Sequence, residues 1–392
     1  MAYTGTFRFQ STDAGLGSLP LDNAAGTLTA ILQAILVDGY NIHTTGVTIA
    51  QTAGTATLTK TGHGFIVGQI IRVSGFDQAG YNIDAKVLTV PTADTLTYAV
   101  NSGTTSPGTG TGAVKMCPLD WTPYANQGTN ILGWQQPVGV GLWLVVDDTG
   151  TTDARFKGFT ALTANPLATT STPGMNDSNG SNAFPTNTNL TGGFFLRKSA
   201  DGTDRAWICL SDRKTIIFQS NPATTTTRST LIFGDYKSYK ASETTQGICV
   251  GDHASLGFSS LIITAGSTNS VGRYCSHTSA GAAGSTGVNV LGSYSLTISN
   301  TFVPGGVGLA TALGTFSSKQ LVQRFMFAEA FGSDLRGHLP GMWFPYHIRP
   351  YAEFDTFTGA TGSSLDGKKM LVLTATNNGQ YYVEIKTGAY WD

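Results

Sequence analysis

Short β-prone runs, each closed off by turn residues, recur from about residue 45 onward, and this punctuation limits the fold more than any other feature. Thr55–Thr59, Ile70–Val73, Ala85–Val90 and Thr95–Val100 carry threonine and branched aliphatics, whose Cβ branching suits a pleated sheet. Between them lie Gly62-His63-Gly64, Gly75-Phe76-Asp77, Ala79-Gly80-Tyr81-Asn82 and Pro91-Thr92-Ala93-Asp94, which supply turns. The rhythm continues through Gly141–Asp148, Arg155–Phe159, Gly193–Lys198, Arg205–Leu210 and Thr215–Gln219. An Asp212-Arg213-Lys214 turn joins the last two as an antiparallel meander. Gln323–Ala330 is a further strand candidate, and Lys369–Leu373 and Gln380–Ile385 bracket Asn377-Asn378-Gly379 as a hairpin. Composition agrees. With 49 glycines and only 12 % charged residues, about half the ~25 % of ordinary soluble domains, the surface must be mostly Thr, Ser, Asn and Gly.

One helix stands out against this pattern. Leu28, Ile31, Leu32, Ile35 and Leu36 form a single apolar stripe at helical spacing. The spacing predicts a helix over Ala25–Val37, capped by Asn23 or Thr27, ended at Gly39 and packed on the chain's own sheet. At 392 residues the chain exceeds what one core usually holds. It divides into an N-terminal segment (1–44) carrying the helix and belonging to the main body, an inserted small β-module (45–115), a main β-domain (116–300) and a C-terminal β-region (301–392) completing the body. Asn101–Gly112 reads as a flexible exit from the module, and Leu162–Asn189 as a long polar loop of the kind that carries contacts. The expected fold class is mainly β, multi-domain and sandwich- or barrel-like, with one N-terminal amphipathic helix. The module is expected to project from the body and make few contacts with it.

Chemistry-bearing patterns are missing. There is no G-x-S-x-G elbow, no H-E-x-x-H zinc motif and no phosphate-binding G-x-x-x-x-G-K-[ST] loop, and Gly108–Gly112 reads as linker flexibility. The six histidines, His43, His63, His253, His277, His338 and His347, are dispersed. Asp252-His253 pairs an acid with a histidine, but neighbours on a strand face opposite ways. Asp147-Asp148 and Asp201-Gly202-Thr203-Asp204 read as polar turns rather than cation or sugar sites. Cys117, Cys209, Cys249 and Cys275 lack metal-ligand spacing and read as buried small hydrophobes, with a disulfide as the alternative. Trp121, Trp134, Trp143, Trp207, Trp343, Trp391, Tyr81 and Tyr98 would suit carbohydrate if exposed, although Trp143 and Trp207 sit in strand patterns and read as core. A net charge of −1 leaves no electrostatic footprint for nucleic acid. No apolar run is long enough to span a membrane, and no signal peptide is visible. The expectation is a protein that is not an enzyme, with no catalytic residue, cofactor or metal, no membrane insertion and no direct contact with nucleic acid.

Three stretches carry a resemblance. The first is Ala24–Tyr40 with Leu142–Asp148 and Ala154–Phe159. The second runs from Gly192–Lys198 through Trp207 to Phe233–Lys240, and the third is Leu335–Pro345. In this order they resemble a family of tailed-bacteriophage virion structural, tail-associated proteins. His63-Gly64-Phe65, Val67–Ile71, Val73–Phe76 and Ala79–Asn82 resemble a portable β-module common in phage virion proteins, inserted into that pattern. The resemblance implies a structural subunit of a particle (tail, baseplate or head-to-tail region), made in the host cytoplasm and carried in the virion. Its partners would be other virion proteins and further copies of itself. A capsid decoration protein and a host-surface receptor or glycan binder are the alternatives. Low charge and an aromatic C-terminal segment suit a large interface in a symmetric homo-oligomer or ring, with Trp343, Phe344 and Tyr346 expected near a core or that interface.

Overall fold

The computed structural model describes residues 2–125, 129–159, 161–162, 183–184, 194–223, 228–239, 247–252, 271–275, 289–291, 322–328, 335–345, 351–374 and 380–391. Among them 48 % lie in strands and 6 % in helical turns. The strand ladders are antiparallel and form one twelve-stranded and two seven-stranded sheets. The loop expected over Leu162–Asn189 lies outside the described residues apart from Leu162 and the Ala183–Phe184 strand.

The large sheet begins at one edge with Phe7–Gln10, followed by Trp207–Ser211, Thr215–Ser220, Ser229–Asp235 and Gly247–Asp252. It continues through Phe194–Arg197, Asp153–Phe159, Trp143–Asp147 and Ile131–Gln135 to Thr122–Pro123. The predicted meander is present: Trp207 pairs with Ser220 and Ser211 with Ile216 across the Asp212–Lys214 turn. There Asp212 Oδ1 accepts from the Lys214 and Thr215 amides. The central strands are buried along their length up to Asp235, which is half-buried. Successive side chains point to opposite faces, so such a strand must feed two cores. Cys209, Phe218, Leu231 and Phe233 pack into the cluster that holds the helix stripe. Leu210, Ile217, Ile232 and Ile248 pack against Met342, Leu371 and Trp391 of the C-terminal region. Each fully buried side chain of this kind contributes roughly 1.5–3 kcal/mol.

The C-terminal sheet runs Asn289–Leu291, Val322–Ala328, Leu335–Pro345, Gln380–Glu384, Lys369–Thr374, Thr356–Thr358, and Lys237–Ser238 joins it beside Leu335–Pro345. The flanks of the predicted hairpin pair from Thr374–Gln380 to Met370–Glu384. The remaining sheet lies within His43–Met116 and its strands pair only with one another. Its outermost strands, Asp84–Lys86 and Thr89–Thr92, are consecutive in the chain. Val87 N–H donates to Gln69 O (2.9 Å) and Leu88 N–H to Thr97 O (2.8 Å), so these two residues cross from one edge to the other. The chain thus passes between the two outer strands of this sheet through Val87 and Leu88 alone.

The helical segment departs from expectation in two ways. It is not one regular helix over Ala25–Val37 but an α-helix, Thr27–Gln33, running into a π turn, Ala34–Asp38. The carbonyls of Ile35 and Leu36 turn outward to accept from the Leu119 and Trp121 amides (3.0 and 2.9 Å), while Gly39 N–H reaches Ala34 O (2.8 Å). Gly39 ends the segment as predicted, at φ 75°; a Cβ there would also lie 2.5 Å from Met116 O. The N-terminus, by contrast, is capped by neither Asn23 nor Thr27. Gly26 occupies the cap position without a side-chain bond, and Asp148, far along the chain, accepts from the Leu28 (2.7 Å) and Thr29 (3.1 Å) amides.

Candidate functional site

Most of the aromatic candidates are core. Tyr81, Tyr98, Trp121, Trp134, Trp207 and Trp391 are buried, so they offer no open sugar platform. Trp121 Nε1 donates to Arg213 O, Trp134 Nε1 to Gln33 Oε1 and Trp391 Nε1 to Glu384 O, each satisfying a buried indole. Trp343 packs with Met370, Val372 and Tyr382, and the Arg324 guanidinium lies 5.2 Å from its ring centroid. Phe344 follows it in the same strand, and Tyr346 lies outside the described residues.

Among the described residues the histidines are His43, His63 and His338. His43 Nε2 is bonded to Asn41 Oδ1 and His63 O, and both imidazoles pack against Phe65. His338 bridges Tyr239 and Arg324, while His253, His277 and His347 lie outside the described residues. Cys117, Cys209 and Cys249 are free and buried, and burial pushes each thiol well above its ordinary range, so none is an activated nucleophile. Among the described residues no group of three His, Cys, Asp or Glu is placed to hold a metal, and no helix is long and apolar enough to cross a membrane.

Two charge clusters, one fully buried and one partly open to solvent, were not legible in the sequence. Asp147 does make the expected local turn, accepting from Thr149 N–H and Oγ1. Its neighbour Asp148 instead caps the helix through Oδ2 and receives Lys198 Nζ on Oδ1 at 2.5 Å, with both side chains fully buried. Lys198 donates also to Ala24 O (2.6 Å) and Gly150 O (3.0 Å), which uses its three protons. In the second cluster Arg72 and Arg213 alternate with Asp84 and Asp120. Arg72 contacts Asp84 at 2.7 Å and Asp120 at 2.6 Å, and Arg213 contacts them at 3.0 and 2.8 Å. Arg72 and Asp84 come from the 45–115 segment, Asp120 and Arg213 from outside it. The apolar cluster is likewise continuous across this boundary. The expectation of few contacts between module and body is therefore corrected: burying an Arg and an Asp requires partners, and here they are shared across the junction.

A third charged group bears on pH. Asp235, at the end of its strand, accepts from Gln136 Nε2 (3.1 Å) and Val140 N–H (3.3 Å), and burial raises its carboxyl to about 6. A raised folded-state value means that its stabilising contribution is complete below about pH 4 and is lost as pH climbs through 6. The loss amounts to roughly 3 kcal/mol at most. Asp235→Asn is expected to flatten the stability profile between pH 4 and 6, followed by urea denaturation at each pH. An unchanged profile would assign the titration elsewhere.

The described surface also holds a cleft of about 130 Å³ where the first strand's edge meets the C-terminal region. Gln10, Ser11, Asn221, Arg228, Glu353 and Phe354 are among the residues that line it. Arg228 Nη2 donates to Glu353 Oε2 at 2.8 Å. Asn221 donates its backbone N–H to Ala206 O, yet its buried Oδ1 has no partner. Phe354 is 45 % exposed and holds φ 71°, a left-handed conformation unusual for a large residue. Its amide is fixed to Val372 O (2.8 Å), and Arg8 lies 5.7 Å from the ring centroid.

No family model and no curated protein matches the chain. Among solved structures it is similar to the phage phi92 endosialidase at 12 % identity and TM-score 0.19, over 89 % of this chain and 70 % of that one.

Proposed function

We propose that the chain is a non-enzymatic structural component of a bacteriophage particle, in the tail, baseplate or head-to-tail region, and that it acts by assembling with other virion proteins. One observation carries the reading: the stretches that bear the family resemblance interlock. Ala24, Asp148 and Lys198 meet in one buried cluster, although they come from three separate segments. Trp143–Asp147, Asp153–Phe159 and Phe194–Arg197 are successive neighbours in the large sheet. Lys237 and Ser238 pair with His338 and Gly337 of the third stretch. Residues shared for the sake of a scaffold would be arranged in this way, since they support one another instead of converging on a reacting atom.

In this reading residues 45–115 form a barrel-like inserted module that contacts a neighbouring subunit or the host surface. Ile66, Val67 and Leu88 stand exposed on it, apolar side chains that a partner would cover. Trp343 packs in the chain's own core, and Phe344 and Tyr346 beside it contribute to an interface between copies in a symmetric homo-oligomer. Gradient-purified particles from cells carrying this sequence are expected to contain the chain in multiple copies, measured by quantitative mass spectrometry. Immunogold labelling should then place it at the tail or neck. Its absence from purified particles would end the proposal, and labelling confined to the capsid faces would favour the decoration alternative.

A further inference from the structure

We propose that Arg324, in the C-terminal sheet, anchors a site for one carboxylate group. The inference goes beyond assembly and rests on charge and hydrogen-bond direction around a single indole. Arg324 stands opposite Trp343 in the strand ladder, with its guanidinium 5.2 Å from the indole centroid. Lys368 Nζ lies 5.9 Å from the same ring. The carboxylate of Glu384 is held by Lys368 at 3.0 Å, which leaves Arg324 unmatched. Arg324 is half-buried, and its partners among the described residues are both neutral, the Trp343 ring and the His338 imidazole. A charge drawn partly out of water without a counter-charge is costly, so the cluster is short of one anion.

Hydrogen-bond direction narrows the ligand further. A guanidinium only donates, so His338 Nε2 accepts from Arg324 and the proton of the neutral ring sits on Nδ1. Nδ1–H then donates to Tyr239 Oη (3.0 Å), and the phenolic proton is left to point elsewhere, on a residue that is 48 % exposed. His338 itself is buried, so it orients Arg324 and Tyr239 from behind. With Nη1 engaged, Arg324 keeps Nε and Nη2, which have no partner among the described residues and are not sealed from solvent. Those two N–H groups form the planar fork that a carboxylate meets with two parallel bonds. The groups left open are donors, and an ionised carboxylate is the side-chain or sugar group that only accepts.

Saturation-transfer NMR on the full-length protein at pH 7 tests this with two acids, D-glucuronate and N-acetyl-L-glutamate amide. Their neutral counterparts, D-glucose and N-acetyl-L-glutamine amide, serve as comparisons. At least one acid is expected to receive saturation, more than fivefold above its counterpart, and acetate is expected to displace it. A stronger signal on the glucuronate assigns the carboxylate to a sugar acid, and a stronger signal on the glutamate derivative assigns it to a protein side chain. Arg324→Gln keeps a donor for His338 Nε2 but removes the charge, and is expected to weaken the signal at least fivefold. Arg324→Lys keeps the charge but loses the fork, and is expected to weaken it at least threefold. An unchanged circular dichroism spectrum and melt will confirm that both variants fold. Absence of transfer to both acids, equal transfer to the neutral counterparts, transfer undiminished in either variant, or displacement by inorganic phosphate at lower concentration than by acetate would overturn the assignment. None of these results depends on whether the chain is found in particles, so the two proposals fail separately.

Discussion

Lys198→Met is expected to lower stability by about 3–5 kcal/mol, the cost of breaking a fully buried ion pair from one side. The ammonium is enclosed by Asp148 Oδ1, Ala24 O and Gly150 O, with no exposure of either charged side chain. Methionine fills similar volume but donates nothing. It would take a donor from Gly150 O, while Ala24 O keeps the Thr27 hydroxyl, and leave Asp148 as a buried charge held by the Leu28 and Thr29 amides. The urea midpoint should fall at nearly unchanged slope, since the exposed area on unfolding is the same. Combining the change with Asp148→Asn should give less than the sum of the two losses, with coupling of about 1 kcal/mol or more. A loss under about 1 kcal/mol, well below the buried-pair range, would show that water replaces the ammonium.

Asp84→Asn is the second large effect, about 3 kcal/mol at neutral pH, toward the lower end for a buried pair because Arg72 and Asp120 partly reach solvent. Burial pushes the Asp84 carboxyl up, but Arg72 and Arg213 outweigh it and hold the group below its ordinary value. With a depressed folded-state value, the stabilisation is present above about pH 4 and lost as pH falls through that lower value. The gap between wild type and Asp84→Asn should therefore narrow as pH falls below about 4, and urea denaturation at pH 7 and pH 3 measures the change. The same substitution removes the carboxylate that the Arg72 and Arg213 guanidiniums share across the junction. Amide exchange should consequently quicken along Ile70–Phe76, the strand carrying Arg72, more than along Thr215–Ser220. A gap no narrower at pH 3 than at pH 7, or uniform quickening, would mean that Asp84 holds no junction.

Much of the β pattern could be read locally. Thr95–Val100 and the Trp207–Ser220 meander were visible because period-two packing and turn residues leave their mark within a few positions. The helix stripe was visible for the same reason, at a different period. Its irregular end was not, because the π turn depends on Leu119 and Trp121 arriving to take two carbonyls. Asp147 and Asp148 look alike in sequence, yet one closes a local turn and the other caps a helix about 120 residues earlier in the chain. The cleft draws on Ser11, Asn221, Arg228, Glu353 and Phe354, a set with no common spacing.

The sequence by itself determined that this chain makes antiparallel sheet, where most strands and turns fall, and which short segment becomes helical. Those are properties of backbone stereochemistry and of each residue's immediate neighbours. Only the tertiary structure decided that the central strands feed two cores, that Lys198 and Asp148 lie buried together, and that Arg72 and Asp84 tie the His43–Met116 sheet to Asp120 and Arg213. A charge leaves water only when an opposite charge meets it in the interior. That partner is supplied by whichever distant segment the fold brings alongside, so no local pattern can record it.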